Sequence, residues 1–224
     1  IDLRQQPAYD AIAERAIDLG FLVKTGHAIY AALKRQSQRV SSVEIRKITG
    51  RGTCEDAGEI IDCDLLCMSV GFTPAYQLAC QAGAQLTYDD NSAIFTLGNC
   101  PDNLQIAGSA NSLWNVDEVR SEATRAAVIA TNSLKFTDKT EGEAIKNTMA
   151  SPNHPWPIFP HPKGKEFVDF DEDLTISDII NATSDGYEHI QLVKRYSTCG
   201  MGPSQGRHSA LAAARIVAWA TNRS

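Results

Sequence analysis

The chain has 224 residues, room for one large domain or two small ones. Its net charge of -6 argues against general nucleic-acid binding, which needs a basic face. No apolar run approaches the roughly 20 residues that cross a bilayer, and no signal peptide is visible; the expectation is a cytoplasmic protein without membrane contact. The sequence begins at Ile1 rather than Met, so it reads as an internal piece of a longer polypeptide.

Pro7 to Gly20 reads as an amphipathic helix, with Ile12, Ala13, Ala16 and Ile17 at helical spacing and Gly20 as its stop. Phe21-Leu22-Val23 is a short apolar strand, and helix followed closely by strand is α/β patterning. Val40 to Ile48 alternates as an antiparallel strand, and residues 50 to 58 form a loop. Leu65-Leu66-Cys67-Met68 reads as a buried strand. Pro74 to Gly83 is a short helix, residues 86 to 96 a hairpin, and Asn103 to Ala107 a further strand ending in Gly108-Ser109-Ala110. An Ala-rich helix covers Val116 to Ala130.

Five prolines between Ser151 and Lys165 exclude helix and central strand and mark a linker. Beyond it, Thr175-Ile176-Ser177-Asp178 resembles a capping box with Asp for Glu, opening a helix that stops near Gly186. A second helix spans Tyr187 to Tyr196, a glycine-rich turn follows, and a last helix runs from Gln205 to Ala220. The domain reading is therefore 1–133, a Pro-rich linker over 134–165, and a small helical domain over 166–224.

Six cysteines are scattered without a C-x-x-C. Cys63 and Cys67 would sit about 13 Å apart on one strand, too far for one metal, so reduced thiols are expected. The five histidines are dispersed, Ser69 and Ser204 lack a nucleophile setting, and Asp169, Asp171, Glu172 and Asp173 read as solvated acidic surface rather than a hard-cation site. No catalytic residue and no metal ligand is assigned.

Lys194, Arg195 and Arg207 surround the turn Thr198-Cys199-Gly200-Met201-Gly202-Pro203-Ser204-Gln205-Gly206. If a helix starts near Gln205, cations at its positive end conflict with the helix dipole. A phosphate would resolve that conflict, met by amides and by Lys and Arg. A capped helix with solvated basic residues is the other reading.

Two resemblances follow from these segments. Cys63 to Pro74 looks like the "D-strand-x-G-x-x-P" element, here with Gly71, of two-dinucleotide-binding flavoproteins of the pyridine nucleotide–disulfide reductase type. Helix, hairpin and strand then follow in that family's order. The resemblance covers residues 1 to 133 and implies the C-terminal part of a Rossmann-like α/β domain. The G-x-G-x-x-G phosphate loop is absent from the sequence. The family's Gly-Asp at the strand end, which holds FAD, stands here as Gly108-Ser109, followed by Ala110.

The second resemblance is to the small [2Fe–2S] domain of amine and opine dehydrogenases, with motifs "C-x-C-E-x-V-T" and "R-x-G-M-G-x-C-Q-G-x-x-C". Asp169, Asp171, Ser204 and Ser209 stand at the four cysteine positions. A cluster needs thiolates, so none is expected. That combination is similar to the alpha-subunit family of heterotetrameric sarcosine oxidases, in which the segment Lys194 to Arg207 has counterparts.

The resemblance implies an enzyme component that is not catalytic alone. The complex would demethylate sarcosine to glycine on FAD in a beta subunit and pass electrons to FMN and oxygen, giving hydrogen peroxide. Its formaldehyde equivalent would go to tetrahydrofolate through a further C-terminal domain. FMN would lie at the interface with the beta subunit, NAD in the nucleotide domain, and smaller subunits would complete the heterotetramer. The cofactor-facing residues implied are Lys194, Arg195, Thr198, Gly200, Met201, Gln205, Gly206 and Arg207, with Gly71, Gly108, Ser109 and Ala110 on the nucleotide side. The alternatives are the alpha subunit of a related N-methyl amino acid or opine dehydrogenase, or a scaffold that binds no cofactor.

Overall fold

A computed structural model describes residues 1–5, 11–34, 39–69, 71–136, 145, 151, 153–155, 159 and 165–223. The chain divides into two compact units, Ile1–Pro157 and Ile158–Ser224. Both mix helices with small antiparallel sheets.

In the first unit, helix α1 (Ala11–Asp18) ends at Gly20, whose φ of +87° suits a glycine stop. Strands β1 (His27–Leu33), β2 (Ser42–Gly50), β3 (Thr53–Cys54) and β4 (Glu59–Asp62) form one sheet. Strand β2 is central, antiparallel to β1, β3 and β4. It buries Val43, Ile45 and Ile48, as alternating apolar residues on a half-buried strand should. Helix α2 (Gln77–Gln81) leads to the hairpin β5 (Leu86–Asp89) and β6 (Ile94–Leu97). A 3₁₀ turn covers Gly108–Asn111. Helix α3 (Val116–Ser133) follows, capped by the Asn115 side chain on the amides of Asp117 and Glu118.

Three segments expected as strands are not paired. Phe21–Val23, Leu65–Met68 and Asn103–Ala107 lie outside the assigned strands. Phe21, Leu22, Leu65 and Met68 are each about two-thirds exposed or more, so the 65–68 run is not the buried strand its apolarity suggests. The physical reason is the missing neighbour. An apolar run becomes a strand only when another backbone accepts its ladder bonds. Among the described residues the only parallel strand contact is the isolated bridge Asp2–Thr25. Strand β1, a run of six apolar residues after His27, does have such a neighbour in β2.

The second unit opens with a short ladder, β7 (Phe167–Asp169) against β8 (Leu174–Thr175). Helix α4 (Ile176–Ser184) starts where expected. The Asp178 carboxylate accepts from the Thr175 amide at 2.8 Å and the Thr175 hydroxyl at 2.7 Å. These donors, the hydroxyl first, hold the Asp178 carboxyl below its ordinary range. Helix α5 (Ile190–Ser197) and helix α6 (Ala210–Ala220) complete the unit. Its core is Ile179, Ala182, Val193, Cys199, Ala213, Ile216 and Val217, all buried.

Helix α6 begins at Ala210, not at Gln205. Gln205 has φ +52° and Gly206 φ +73°, both outside right-handed helix, so residues 203–209 form turns before the helix.

Candidate functional site

The glycine-rich loop runs from Thr198, the left-handed C-cap of α5, to Ser209 at the N-cap of α6. Gly200 and Gly206 both have positive φ and pack back to back. A Cβ on Gly200 would lie 3.2 Å from the Gly206 Cα, so the close approach and the left-handed backbone both call for glycine. Gln205 closes the turn from outside, its side-chain amide donating to the carbonyls of Gly202 at 2.9 Å and Met201 at 3.2 Å.

The four positions at which the resembled domain has cysteines come together in space as two pairs. The Ser209 hydroxyl donates to Asp169 Oδ2 at 3.0 Å. The Ser204 amide donates to Asp171 Oδ2 at 2.7 Å. Asp169 also accepts from the Gly200 amide at 2.7 Å, and its Oδ1 accepts from the Asp171 amide at 3.0 Å. Burial alone would raise the Asp169 carboxyl, but donors from Gly200, Ser209, Asp171 and Glu172 outweigh it and hold the group below its ordinary value. Asp169 is therefore a buried, fully engaged carboxylate, which corrects its reading as solvated surface. Cys199 beside it is pushed up by burial, then by the Asp169 charge, so its thiol stays protonated and unreactive.

This arrangement changes what the loop can offer an anion. The Gly200 and Ser204 amides donate to carboxylates, and those of Met201, Gln205 and Arg207 to carbonyls within the loop. These five amides are thereby withheld from a phosphate. Lys194 and Arg195 occupy the last turn of α5, where the negative end of the helix favours them. The expected conflict with a helix N-terminus therefore does not arise for these two. Lys194 is half-buried; Arg195 and Arg207 are exposed, as is Met201. Among the described residues none of the three cations has an ion-pair partner. Thr198 donates its hydroxyl to the Glu172 carboxylate at 3.0 Å.

The nucleotide-side residues sit in two places in the first unit. Gly71, with φ +129°, lies against Asn153, and a Cβ there would overlap the Asn153 side chain. Asn153 uses both ends of its amide on one residue, accepting from the Phe72 N–H at 2.6 Å and donating to the Phe72 carbonyl at 2.7 Å. Gly108, Ser109 and Ala110 form the 3₁₀ turn, and Glu122 of α3 is buried against it. Its carboxylate accepts from the Gly108 amide at 3.1 Å and from the Asn111 side chain at 2.8 Å. Sequence reasoning missed Asn153 and Glu122. The one signal for Glu122 was a carboxylate on the alanine-rich side of α3; for Asn153 there was none.

Residues 163–224 match the family model described as sarcosine oxidase A3 domain. The chain is 33% identical over 166 residues to the sarcosine oxidase subunit alpha of Rhizobium meliloti, covering 71% of this chain and 16% of that relative. It is 25% identical over 217 residues to the sarcosine oxidase subunit alpha of Corynebacterium sp. (strain P-1), covering 93% of this chain and 22% of the relative. A relative of the same name from Corynebacterium sp. (strain U-96) is 25% identical over 225 residues, covering 97% of this chain. The chain thus spans less than a quarter of the length of the curated relatives it matches. The domain match and the similarity along most of the chain place it in the sarcosine oxidase alpha-subunit family.

Proposed function

We propose that the chain is part of the alpha subunit of a flavin-dependent oxidoreductase complex of the sarcosine oxidase type, and that its glycine-rich loop faces FMN at the interface with a beta subunit. The observation that carries this reading is the A3-domain match over 163–224, the stretch that contains the loop. The complex would oxidise sarcosine to glycine with release of hydrogen peroxide and transfer of the one-carbon unit to tetrahydrofolate. Smaller subunits would complete it in the cytoplasm. The chain itself supplies no catalytic group.

The chemistry of Arg195, Arg207 and Lys194 suits a phosphate or an acidic partner surface, and Met201 of the same loop is exposed for apolar contact. The residues at the four cysteine positions suit no iron–sulfur cluster. The two carboxylates there already accept from the Ser209 hydroxyl and from the loop amides of Gly200 and Ser204. The test is co-expression of the full-length subunit with its partners. Replacing Lys194 and Arg207 together by Ala should lower the FMN content of the purified complex, and unchanged flavin content overturns the reading.

For residues 1–133, a Rossmann-like domain binding NAD is the counterpart proposal, with Gly71 and Gly108 to Ala110 near the nucleotide. One observation favours the scaffold reading instead. The Gly108 amide is taken by the buried Glu122 side chain and so is not open to a nucleotide. Calorimetric titration of the full-length subunit with NAD separates the two. Stoichiometric binding supports the nucleotide domain, and none supports the scaffold.

A further inference from the structure

The acidic turn 169–172 and the loop 198–209 are joined at four hydrogen bonds, and every one ends on a carboxylate oxygen. Asp169 takes the Gly200 amide and the Ser209 hydroxyl, Asp171 takes the Ser204 amide, and Glu172 takes the Thr198 hydroxyl. Ser209 stands at the N-cap of α6 yet makes no capping bond to that helix. Its hydroxyl is spent on Asp169 instead, so one buried carboxylate ties β7, the loop and the start of α6 together.

Gly202 completes the arrangement. It has no positive φ, so its backbone would accept any residue. Yet a Cβ there would overlap the Asp171 Cβ, with Asp171 Cγ and Oδ2 at 3.0 and 3.1 Å. The glycine is required by the side chain lying across it, not by its own conformation. Among the described residues no group of three or more His, Cys, Asp or Glu is arranged to hold a metal ion.

We propose that Asp169 and Asp171 form a metal-free carboxylate clasp that sets the conformation of the glycine-rich loop, with Gly202 as the seat for Asp171. The clasp is a local device, independent of whether the loop meets a flavin. Asp169 holds the loop where it enters and leaves, and Asp171 holds its crest. Asp171 is exposed, so it can be changed without opening the core.

Residue-resolved amide hydrogen exchange on the full chain tests this. Asp171→Asn should speed exchange of the Ser204 amide about tenfold or more, the scale of losing a hydrogen bond to a charged acceptor. The α4 and α6 amides should stay protected as the folding control. Gly202→Ala should produce the same change, because its methyl displaces Asp171. The double variant should be no faster than either single one, since both remove one interaction. Unchanged Ser204 exchange in Asp171→Asn overturns the proposal, and so does an additive double variant. If EDTA alone releases the wild-type loop, a bound metal holds it and the clasp is wrong.

Discussion

Both units bury a core and both leave apolar side chains exposed, but in different settings. The second closes a core in which Ile179, Ala182, Val193 and Ala213 are fully buried, although it is the smaller unit. The first leaves Phe21, Leu22, Leu65 and Met68, all on unpaired segments, largely exposed beside a well-formed sheet. Helices α4, α5 and α6 satisfy their own backbones and need only side-chain packing from one another. Extended apolar runs need a partner backbone as well, so they stay open until one is supplied. Self-sufficiency thus tracks how the backbone bonds are met, not how hydrophobic the segment is.

The largest expected effect lies in the closed core. Ile179→Ala should destabilise the second unit by about 2–5 kcal/mol, the usual cost of such a cavity, while the first unit's transition keeps its midpoint. Two-probe denaturant unfolding of the full chain checks this. A single shared transition that moves as one would show that the units do not differ in independence.

Next is Asp169. Replacing it by Asn should cost about 2–3 kcal/mol at neutral pH, because a buried carboxylate with several donors is lost. The Asp169 carboxyl is held below its ordinary value, so its stabilisation is present above about pH 4 and disappears as pH falls through the depressed value. Acid titration of wild type and variant should therefore show their difference shrinking toward low pH. A difference that grows in acid reverses the sign and contradicts the assignment.

A smaller effect is expected in the first unit. Asn153→Ala should cost about 1–2 kcal/mol, since the Phe72 N–H and carbonyl lose their partner together. Thermal unfolding followed by the emission of Trp114, which packs on Phe72 with ring centroids 5.4 Å apart, reports it locally in a background with Trp156 and Trp219 replaced by Phe. The smallest effect is the most diagnostic for the comparison. Leu65→Ser should change stability by less than about 0.5 kcal/mol and reduce self-association in light scattering, because an exposed side chain has little burial to lose. A loss of about 2 kcal/mol or more would restore the buried-strand reading.

Local signals were legible wherever neighbours in sequence decide the outcome. The Thr175 and Asp178 helix start, the 86–97 hairpin and the Asn115-capped helix α3 are set by contacts within a few residues. The shared identity of Asp169, Asp171, Ser204 and Ser209 as one spatial set was legible too, through motif resemblance. The start of α6 was not, because turns such as 203–209 can pass for the first turn of a helix when only composition is read.

By itself, then, the sequence determined that the second unit has three helices joined by a glycine-rich loop, and the family to which the chain belongs. Only the tertiary structure decided the fate of the four polar residues at the cysteine positions. Asp169 looked like solvated acid, and became a buried acceptor because Gly200 and Ser209, 31 and 40 residues away, bring it their donors. Charge favours water until enough fixed donors replace it, and how many will converge depends on long-range packing that no local pattern encodes.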